Sequence, residues 1–581
     1  MSTRRGLFRR RQLRTGRGPC AVAVAIVLFV VPGLVHATRL VPDVRILWTN
    51  DTHGYLSPVY HREEGDDQFI EHARRHGRTG GFANVATIIK RQRALFPGQT
   101  LVLDAGDTWH GTVVPLRLDG RPVLEIMNAI GYDAMVPGNV EFFYDRATLE
   151  RLFAAARFPI VAANLYDAQW DERVTLPNVR PYVVKRVGPL KVAIVGMTYH
   201  WMSKVANHPQ WAFGLRVNEV QEDIDRLRNV EQVDLVVLLS HMGWEADTRY
   251  AELVHGIDVI VGAHTHDILY RPTLVHNPTS DRDVLVVQCG SHGKLVGQLD
   301  LRVRGRRVVA FEQTLLPVRA KDIEPDRHIA ALIEKLRAPY KQELERVIGN
   351  TRTLLYRQGT WQSTADNLVT DALRARTKQD IAMAEPGRYG ATILPGPVTV
   401  EDIYNLVPME TPVYHMKFSG RALREMLEAA VDNMMADDPL ERVGSNLWRF
   451  SGIEIVVDLG RPYPDRIRSL RVNGVPADDQ RLYTLAEFNM FLRNNPLAID
   501  VRPTDRIGPH EVIAYLEEQR DIAPTLDRRV TDAGGAILSD HTHLHEHAQR
   551  SGRNGVDLDN NGPIRYRGGL DNRKRLRIYG P

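Results

Sequence analysis

The sequence contains little cysteine: only two of its 581 residues are cysteines, Cys20 and Cys289. Cys20 precedes an apolar run near the N-terminus, so a chain that loses this N-terminal segment keeps Cys289 alone. A single thiol cannot form an internal disulfide, which excludes a disulfide-stapled fold. The strand-like context "VLVVQCG" predicts that Cys289 is a small buried residue.

The sequence also lacks an apolar run long enough to cross a bilayer. The run "AVAVAIVLFVV", from Ala21 to Val31, has eleven residues, whereas a hydrocarbon core of about 30 Å needs roughly 20. An Arg-rich stretch precedes this run and "LVHA" follows it, which is the pattern of an export signal cleaved near Ala37. The beginning, "STRRGLFRR", resembles a twin-arginine signal. We therefore expect a periplasmic protein without a permanent membrane anchor.

The sequence has no net positive charge outside its N-terminal segment. The first 37 residues carry seven arginines and no acidic residue. Removing these seven from the 75 basic residues leaves 68 against 71 acidic residues, a net charge of −3. A mildly acidic protein has no electrostatic reason to bind a nucleic acid polymer, so we expect none as a partner.

The pattern of apolar segments predicts an α/β protein with two folded domains. Between about residues 43 and 300, short runs rich in β-branched residues, such as "VRILWTND" and "VDLVVLLSH", alternate with helical patterns. No internal repeat is visible. The predicted organisation is an export signal at 1–37, a first domain at 38–320, a connecting helix at 321–349, a second α/β domain at 350–530 and a disordered tail at 531–581.

Seven side chains that bear oxygen or nitrogen follow the ends of the predicted strands. They are Asp51 and His53 in "NDTHG", Asp107 in "GDTWHG", Asn139 in "PGNVEF", His241 in "LLSHMG", and His264 and His266 in "GAHTH". Residues i and i+2 of an extended segment point to the same side, so both members of each Asp-X-His or His-X-His pair can approach one centre. Seven donors are too many for one tetrahedral site but fit two divalent metals bridged by a carboxylate. Carboxylate, amide and imidazole donors suit Mn, Fe or Zn, and spacing does not choose among them.

These motifs, in this order, resemble the calcineurin-like metallophosphoesterases, in the branch where that domain precedes a 5′-nucleotidase-type C-terminal domain. The resemblance covers about residues 43–530. It implies an N-terminal sandwich of two sheets flanked by helices, a C-terminal α/β domain and two metal ions, most often manganese. It also implies a ligand set for each metal: Asp51, His53, Asp107 and His266 for one, and Asp107, Asn139, His241 and His264 for the other, with Asp107 as the bridge.

Two features of the nucleotidases in this superfamily are missing from the sequence. Nucleotidases carry Gly-Asn-His-Glu and a late Gly-Gly-Asp-Gly-Tyr stretch with aromatic residues that sandwich the base. This chain has "GNVE", with Val140 in place of the His, and its late segment reads "YTLAEFNMFLRNNP". The resemblance therefore disfavours nucleotide hydrolysis.

Another branch, the thiosulfohydrolases of the periplasmic sulfur-oxidation (Sox) system, is similar to the chain in four further places. These are "GDTWHGT", "VEFFYD", "ADNLVTDALR" and "PGRYGATILPGPVT", the last close to a Pro-Gly-Phe-Arg-Trp-Gly motif. A twin-arginine signal is also usual in this branch. The chain departs from it at Asn139-Val140, where typical members have His-Trp, and "GMTYHWMSKVANHP" matches only loosely.

This second resemblance implies a reaction in which Val140 is no disadvantage. A thiosulfohydrolase cleaves the sulfur–sulfur bond of a cysteine S-thiosulfonate on a carrier protein, releasing sulfate and leaving a persulfide. A persulfide is much less basic than an alkoxide and leaves without being protonated, so a general acid is dispensable. The alternative is a phosphoesterase in which Val140 is a packing substitution and another residue, for instance His200, supplies the proton.

Five residues are predicted to act beside the metals. Asp107, Arg388 and Glu141 are assigned to the catalytic centre, with Glu141 expected to orient the Asn139 loop rather than to coordinate. Arg388 in "GRYG" is expected to bind the substrate anion, because a guanidinium offers a planar fork to sulfonate or phosphate oxygens. Tyr389 and Trp109 are expected to wall the entrance to the site.

The expected partner is a sulfur carrier protein with a cysteine-bearing arm. One alternative is a periplasmic 5′-nucleotidase or general phosphoesterase. Another is a non-catalytic, metal-storing protein of the same fold, because the C-terminal segment "HTHLHEH", at residues 541–547, has four His in seven positions.

Overall fold

A computed structural model describes residues 40–206, 208–387, 389–444, 446–488, 492–539 and 564–569. The predicted export signal, Arg388 and the His-rich segment at 541–547 lie outside these residues. In the described part of the chain, no helix combines the length and the apolar character needed to cross a membrane.

The first half of the chain alternates strands and helices. Its strands are β1 (Val44–Thr49), β2 (Thr100–Asp104), β3 (Ala134–Met135), β4 (Ile160–Val161), β5 (Tyr166–Asp167), β6 (Val179–Arg180), β7 (Tyr182–Val187), β8 (Leu190–Met197), β9 (Trp211–Ala212), β10 (Leu235–Ser240), β11 (Val259–Val261), β12 (Thr273–Asn277), β13 (Arg282–Val287), β14 (Leu295–Arg304) and β15 (Arg307–Pro317). Its helices are α1 (Phe69–His76), α2 (Phe82–Leu95), α3 (Val113–Arg117), α4 (Arg121–Ile130), α5 (Arg146–Ala155), α6 (Met202–Val205), α7 (Val217–Asn229), α8 (Trp244–Leu253), α9 (Arg327–Arg337) and α10 (Lys341–Leu344).

The second half adds smaller sheets and four longer helices. Its strands are β16 (Val347–Thr351), β17 (Ile381–Ala384), β18 (Gly396–Thr399), β19 (Pro412–Ser419), β20 (Arg449–Ser451), β21 (Ile453–Val457), β22 (Ile467–Val472), β23 (Val475–Pro476), β24 (Leu482–Glu487), β25 (Ile499–Ile507), β26 (Asp521–Ile522), β27 (Val530–Asp532) and β28 (Ile564–Gly569). Its helices are α11 (Thr364–Thr377), α12 (Val400–Leu406), α13 (Gly420–Met434) and α14 (Gly508–Gln519).

Two sheets of the first half pack face to face. One has the order β28-β15-β14-β1-β2-β3-β4-β6 and the other β12-β13-β11-β10-β8-β7. Alternate residues of each strand, such as Ile46 and Trp48 of β1 and Val192 and Ile194 of β8, enter the apolar layer between the sheets. Helices cover both outer faces. The predicted sandwich of two sheets flanked by helices is therefore confirmed.

The direction of the strands determines where the functional loops lie. Strands β1, β2, β3 and β4 run parallel to one another in the first sheet, as do β8, β10, β11 and β13 in the second. The carboxyl ends of parallel strands meet at one edge of a sheet, and ligands bind there in open α/β sheets. The loops after β1, β2, β3, β10 and β11 carry the seven predicted ligands.

The second half is also α/β, as predicted. Its main sheet has the order β20-β17-β24-β19-β25, and smaller sheets have the orders β23-β22-β21-β27 and β18-β16-β26. Helix α11 begins where Ser363 caps it by accepting the backbone N–H of Asp366. Helix α12 packs near α3, so that Val400 and Ile403 share an apolar cluster with Val113 and Val114 of the first half.

The predicted connecting helix is interrupted. Helix α9 ends at Arg337, a 3-10 turn covers Ala338–Tyr340, and α10 follows at Lys341–Leu344. Pro339 explains the break, because it has no backbone N–H and its ring clashes with the preceding helical turn. Strand β16 begins at Val347, inside the range predicted to connect the domains.

The prediction of a disordered tail from residue 531 is wrong for two described segments. Strand β27 pairs in parallel with β21, and Leu538 is buried in the apolar core of the second half. Strand β28 pairs antiparallel with β15 at the edge of the first sheet. Strand pairing forms hydrogen bonds between backbone N–H and C=O groups, which polar side chains also permit. The polar composition of this region was therefore not sufficient evidence of disorder.

Candidate metal centre

The loops after β1 and β2 run side by side and hold three of the predicted ligands. The backbone N–H of Asp51 donates to Gly106 O (2.9 Å) and that of His53 to Asp107 O (2.8 Å). Gly138, in the loop after β3, packs so closely that a Cβ there would lie 2.2 Å from Asp107 Oδ1. The glycine of "PGN" is therefore needed to bring Asn139 beside Asp107.

The first group of donors consists of Asp51, His53 and His266, whose ligand atoms lie within 4.8 Å of one another. His53 Nε2 lies 3.0 Å from His266 Nε2, and His266 Nε2 lies 3.3 Å from Asp51 Oδ1. The backbone N–H of His264 donates to both oxygens of Asp51, and Asn50 Nδ2 donates to Oδ2 (2.7 Å). These donors hold the Asp51 carboxylate toward the two imidazoles.

The second group consists of Asp107, His241 and His264, also within 4.8 Å of one another, with Asn139 beside them. His241 Nε2 lies 3.2 Å from Asp107 Oδ1, and His264 Nδ1 lies 2.8 Å from Asn139 Oδ1. His241 Nε2 also lies 3.9 Å from Asp51 Oδ1, which places the two groups next to each other. The structure thus brings all seven predicted ligands into one pocket.

The electrostatics of the pocket are those of a cation site. Burial disfavours the charged imidazolium of His241, but the carboxylates of Asp107 and Asp51 raise its pKa to about 10. Burial also opposes ionisation of Asp107, yet the neighbouring imidazole of His241 lowers the pKa of that carboxyl. Burial lowers the pKa of His53 to about 3, which keeps this ring neutral and available as a ligand. Positive charge that faces the carboxylates of Asp51 and Asp107 therefore stabilises this group of side chains.

The backbone of the pocket is strained. Five of the seven ligands have a left-handed conformation: Asp51 (φ 49°), His53 (φ 48°), Asp107 (φ 56°), His264 (φ 73°) and His266 (φ 61°). Each such residue costs about 1–3 kcal/mol, and such strain persists where the surrounding structure over-determines it. Clustering at functional sites is typical of strain of this kind.

The donor set fits two divalent cations. His53 Nε2 and His266 Nε2 lie 3.0 Å apart, a distance at which one ring must donate and the other accept if they form a hydrogen bond. His241 Nε2 is buried without a hydrogen-bond partner among the described residues. Its Nδ1 lies 2.7 Å from Ala105 O and donates a proton to it, so Nε2 is the nitrogen that faces the pocket and offers a lone pair once a cation displaces its proton. Oxygen and nitrogen donors without a thiolate match the harder transition metals.

Glu141 holds the two ligand loops together through its carboxylate. Oε1 accepts the backbone N–H groups of Thr108 (2.7 Å) and Trp109 (2.8 Å), and Oε2 accepts those of Asp107 (3.0 Å) and Gly138 (2.7 Å). Burial and the nearby Asp107 carboxylate raise the pKa of Glu141, and the backbone donors oppose that rise by stabilising the ionised form. Glu141 therefore positions the loops that carry Asp107 and Asn139.

We expect Glu141→Gln to weaken metal binding and the fold together. The amide nitrogen of Gln would face two of the four N–H donors, leaving them unpaired at a cost of about 2 kcal/mol or more. Loss of such a support typically lowers metal affinity or activity about 10- to 100-fold. Metal titration and thermal unfolding measure both effects. Glu150→Gln, at an exposed i,i+4 pair with Arg146, is the control, and equal behaviour of the two variants would contradict the assignment.

Trp109 does not wall the entrance, contrary to the sequence prediction. It is fully buried, its Nε1 donates to Met127 Sδ (3.2 Å), and its ring packs 6.0 Å from that of Phe153. Its backbone N–H binds Glu141, which turns the side chain away from the metals and into the core under α4. Tyr389, by contrast, lies at the pocket, where its half-buried ring stacks on His53 with 4.7 Å between centroids.

Two aromatic side chains next to the ligands, Tyr199 and His292, were not identified from the sequence. Tyr199 follows β8 and stacks on His264 (4.3 Å between centroids). His292 follows β13, and its ring centroid lies 5.7 Å from that of His53 and 3.9 Å from that of His61. A signal was present, since Tyr199 and His292 occupy the same strand-end positions as the ligands.

Family comparisons agree with this architecture. Residues 44–267 match the calcineurin-like phosphoesterase family, and residues 347–495 match the 5′-nucleotidase C-terminal domain family. A curated relative, the snake venom 5′-nucleotidase of Crotalus adamanteus, is 29% identical over 489 residues, which cover 76% of this chain and 80% of the relative. The 5′-nucleotidase of Bos taurus is 28% identical over 469 residues, 74% of this chain and 78% of that protein.

Two solved structures from Thermus thermophilus are similar over most of the chain. The sulfate thiohydrolase SoxB in complex with glycerol has a TM-score of 0.79 and 27% identity, covering 85% of this chain and 98% of that one. A 5′-nucleotidase precursor from the same species has a TM-score of 0.74 and 27% identity, covering 84% of this chain and 99% of that one.

Proposed function

The chain belongs to the calcineurin-like metallophosphoesterase superfamily with a 5′-nucleotidase-type C-terminal domain and is a hydrolase, and on that premise we propose that it is a dinuclear thiosulfohydrolase. Its proposed substrate is a cysteine S-thiosulfonate on a sulfur carrier protein, from which it releases sulfate. The similarity to the thiohydrolase structure is compatible with this reaction, and the nucleotidase relatives make phosphoester hydrolysis the competing one.

The main observation in support of the proposal is that an apolar residue, Val140, lies beside the metal ligands. Its backbone N–H donates to Asp107 Oδ1 (2.8 Å), so the residue lies at the metal pocket. Its side chain is buried and apolar, with 1% of its surface exposed. The position therefore supplies a hydrogen bond to a ligand and no proton to a leaving group.

The proposed reaction tolerates this lack of an acid. Water attacks the sulfonate sulfur, an oxygen–sulfur bond forms and the sulfur–sulfur bond breaks, with its electron pair leaving on the carrier's persulfide. The products are sulfate, the persulfide anion and two protons. A persulfide needs no protonation to leave, whereas an alkoxide does, and general acid catalysis is worth about 10²- to 10⁴-fold when it is needed.

When bound, two divalent cations would supply Lewis acidity and a water of lowered pKa. Asp51, His53 and His266 would hold one cation, His241, His264 and Asn139 the other, and Asp107 would contact both. The chain's own residues position the ligands: Val140 N–H donates to the Asp107 carboxylate, and Glu141 accepts the backbone N–H groups of Asp107 and Gly138. Manganese is the proposed metal, with zinc and iron as alternatives.

His200, the other candidate proton donor, is engaged elsewhere. Its Nε2 lies 3.0 Å from Leu440 O, in the second half of the chain. Burial lowers the pKa of His200, so the imidazole is neutral at physiological pH. It is therefore a poor proton donor to an alkoxide, which supports a substrate with a better leaving group.

One described aromatic residue of the late segment lies in the apolar core. Phe488, in "YTLAEFNMFLRNNP", is 2% exposed and belongs to the apolar core. A Cβ at Gly508 would lie 2.6 Å from the Phe488 ring, which leaves no room for a ligand between them. Phe488 is therefore not available to stack on a purine or pyrimidine base.

The proposal is tested by comparing two hydrolyses catalysed by the Mn²⁺-loaded protein. One substrate is a peptide arm whose single cysteine carries a thiosulfonate, assayed by sulfate release. The other is a panel of nucleoside 5′-monophosphates, assayed by phosphate release. We expect a larger kcat/KM for the peptide; a larger value for any nucleotide would overturn the proposal in favour of a nucleotidase.

We expect Val140→His to create phosphoester hydrolysis rather than to improve thiosulfonate hydrolysis. An imidazole at this position could protonate an alkoxide, which should raise turnover of nucleoside monophosphates about 100-fold or more. Turnover of the thiosulfonate should not rise, because the persulfide needs no proton. Val140→Leu controls for the added volume, and equal gains with His and Leu would contradict this reading of the position.

We also propose a cellular location and a macromolecular partner for the protein. The export-signal pattern at residues 1–37 supports a periplasmic location, where a carrier with a cysteine-bearing arm would be the macromolecular partner. Detection of the processed chain in a periplasmic extract, with its N-terminus near residue 38, tests the location separately from the chemistry.

A further inference from the structure

Two of the ligand histidines, His241 and His53, are held in different ways. His241 Nδ1 lies 2.7 Å from Ala105 O, the hydrogen bond that usually fixes the ring of a metal-ligating histidine. His53 Nδ1 is buried and has no hydrogen-bond partner among the described residues. Some other contact must therefore orient the His53 ring.

That contact comes from the second half of the chain. The ring of Tyr389 stacks on the ring of His53, with 4.7 Å between centroids and 20° between planes. The ring of His266 meets His53 edge-on at 5.0 Å, through the atoms that face the cation position. Tyr389 thus covers a face of His53 while the ligand nitrogen of His53 stays directed at His266.

The position of Tyr389 is fixed through its neighbour Gly390. The N–H of Gly390 donates to His292 Nε2 (3.3 Å), and its carbonyl oxygen accepts from Gln358 Nε2 (3.2 Å). Gln358 Nε2 in turn lies 3.0 Å from His61 Nε2, and the rings of His61 and His292 are 3.9 Å apart. His292 therefore holds the N–H of Gly390 directly, and His61 contacts the glutamine that holds its carbonyl group.

Both sides of this contact are rigid. Gly390 has a φ of 145°, and a Cβ there would lie 2.9 Å from Arg357 Cδ. Arg357 is itself anchored by donating Nε to Asp366 Oδ1 (2.8 Å). On the other side, the backbone N–H of His292 donates to Asp51 O (2.7 Å), directly beside a ligand of the first group.

We infer that Tyr389 is a positioning residue for the metal ligand His53, and that docking of Gly390 on His292 sets the affinity of the cation position formed by Asp51, His53 and His266. The cation position of His241 and His264 does not depend on this contact. The inference concerns metal occupancy and is independent of which substrate is hydrolysed.

The test compares Tyr389→Leu with Tyr389→Phe, using Mn²⁺ alone as the probe. Leu removes the ring, whereas Phe keeps the stacking surface and loses only the hydroxyl. We expect two bound Mn²⁺ per chain in the wild type and in Tyr389→Phe. In Tyr389→Leu, one position should bind about 10- to 100-fold more weakly while the other keeps its affinity. Equilibrium titration and electron paramagnetic resonance distinguish a paired from an isolated Mn²⁺.

Two further variants decide whether the effect is specific. His292→Phe keeps a ring in place but removes the acceptor for Gly390 N–H, so it should weaken the same position in the same direction. Tyr199→Leu removes the ring that stacks on His264 and should leave the Asp51 position unaffected. Thermal unfolding confirms that each variant is folded. Unchanged binding of both Mn²⁺ by Tyr389→Leu, or equal weakening of both positions, would overturn the inference without touching the proposed reaction.

Discussion

Asp107→Asn is expected to lower the rate of hydrolysis about 10²- to 10³-fold and to reduce the bound metal from two ions per chain to one. Asp107 Oδ1 lies 3.2 Å from His241 Nε2 and accepts the N–H of Val140. An amide carries no negative charge, keeps only one acceptor oxygen, and could turn its NH₂ group toward His241. Losses of this size follow removal of one preorganised electrostatic group from a buried site.

The substitution tests charge rather than backbone shape. Asp107 has a φ of 56°, and asparagine tolerates this left-handed conformation as well as aspartate does. Asp119→Asn is the matched control, because Asp119 has a φ of 52° on an exposed part of the same half. Metal content and turnover are measured on both. An Asp107→Asn variant that keeps two ions and its turnover would refute the role of Asp107 as a bridge.

The sequence carried enough information to place the ligands because the relevant geometry is local. Each ligand follows a buried strand directly, and parallel strands bring their carboxyl ends to one edge. The pairs Asp51 with His53 and His264 with His266 needed only the i, i+2 spacing to face one centre. The two-sheet sandwich followed from the same apolar runs, which alternate with helical patterns.

Features that depend on packing between distant segments could not be predicted in this way. Trp109 lies two residues after a ligand, yet the Glu141 carboxylate turns its backbone so that the indole enters the core. His292 contacts Gly390, which lies 98 positions later in the sequence, and the hydrophobic periodicity of the sequence does not predict a contact between such distant residues. Residues 530–539 are likewise ordered because strand β27 pairs with β21, and amino-acid composition does not predict such a pairing.

Binding of the metals is expected to expel one proton from His241, so that affinity rises with pH. In the metal-free protein the carboxylates raise the pKa of His241 from 6.5 to about 10, so the ring is protonated at pH 7.5. Coordination requires the lone pair of Nε2, because Nδ1 donates its proton to Ala105 O. His53, with a pKa of about 3, is already neutral and releases none. Below pH 10, each unit of acidification should weaken this position about tenfold.

Calorimetric titration of metal-free protein with Mn²⁺, in buffers of different ionisation enthalpy, counts the released protons. We expect close to one per chain at pH 7.5 and fewer above pH 10, and none from His241→Gln. In the metal-free chain the imidazolium stabilises the fold below pH 6.5, and this contribution is lost as the pH rises through 10. At a fixed metal concentration, chelation should therefore lower Tm more at alkaline pH, because the metal binds more tightly there; a site at 100 times its Kd contributes about 2.7 kcal/mol. Two bound ions without proton release would contradict coordination by His241 Nε2.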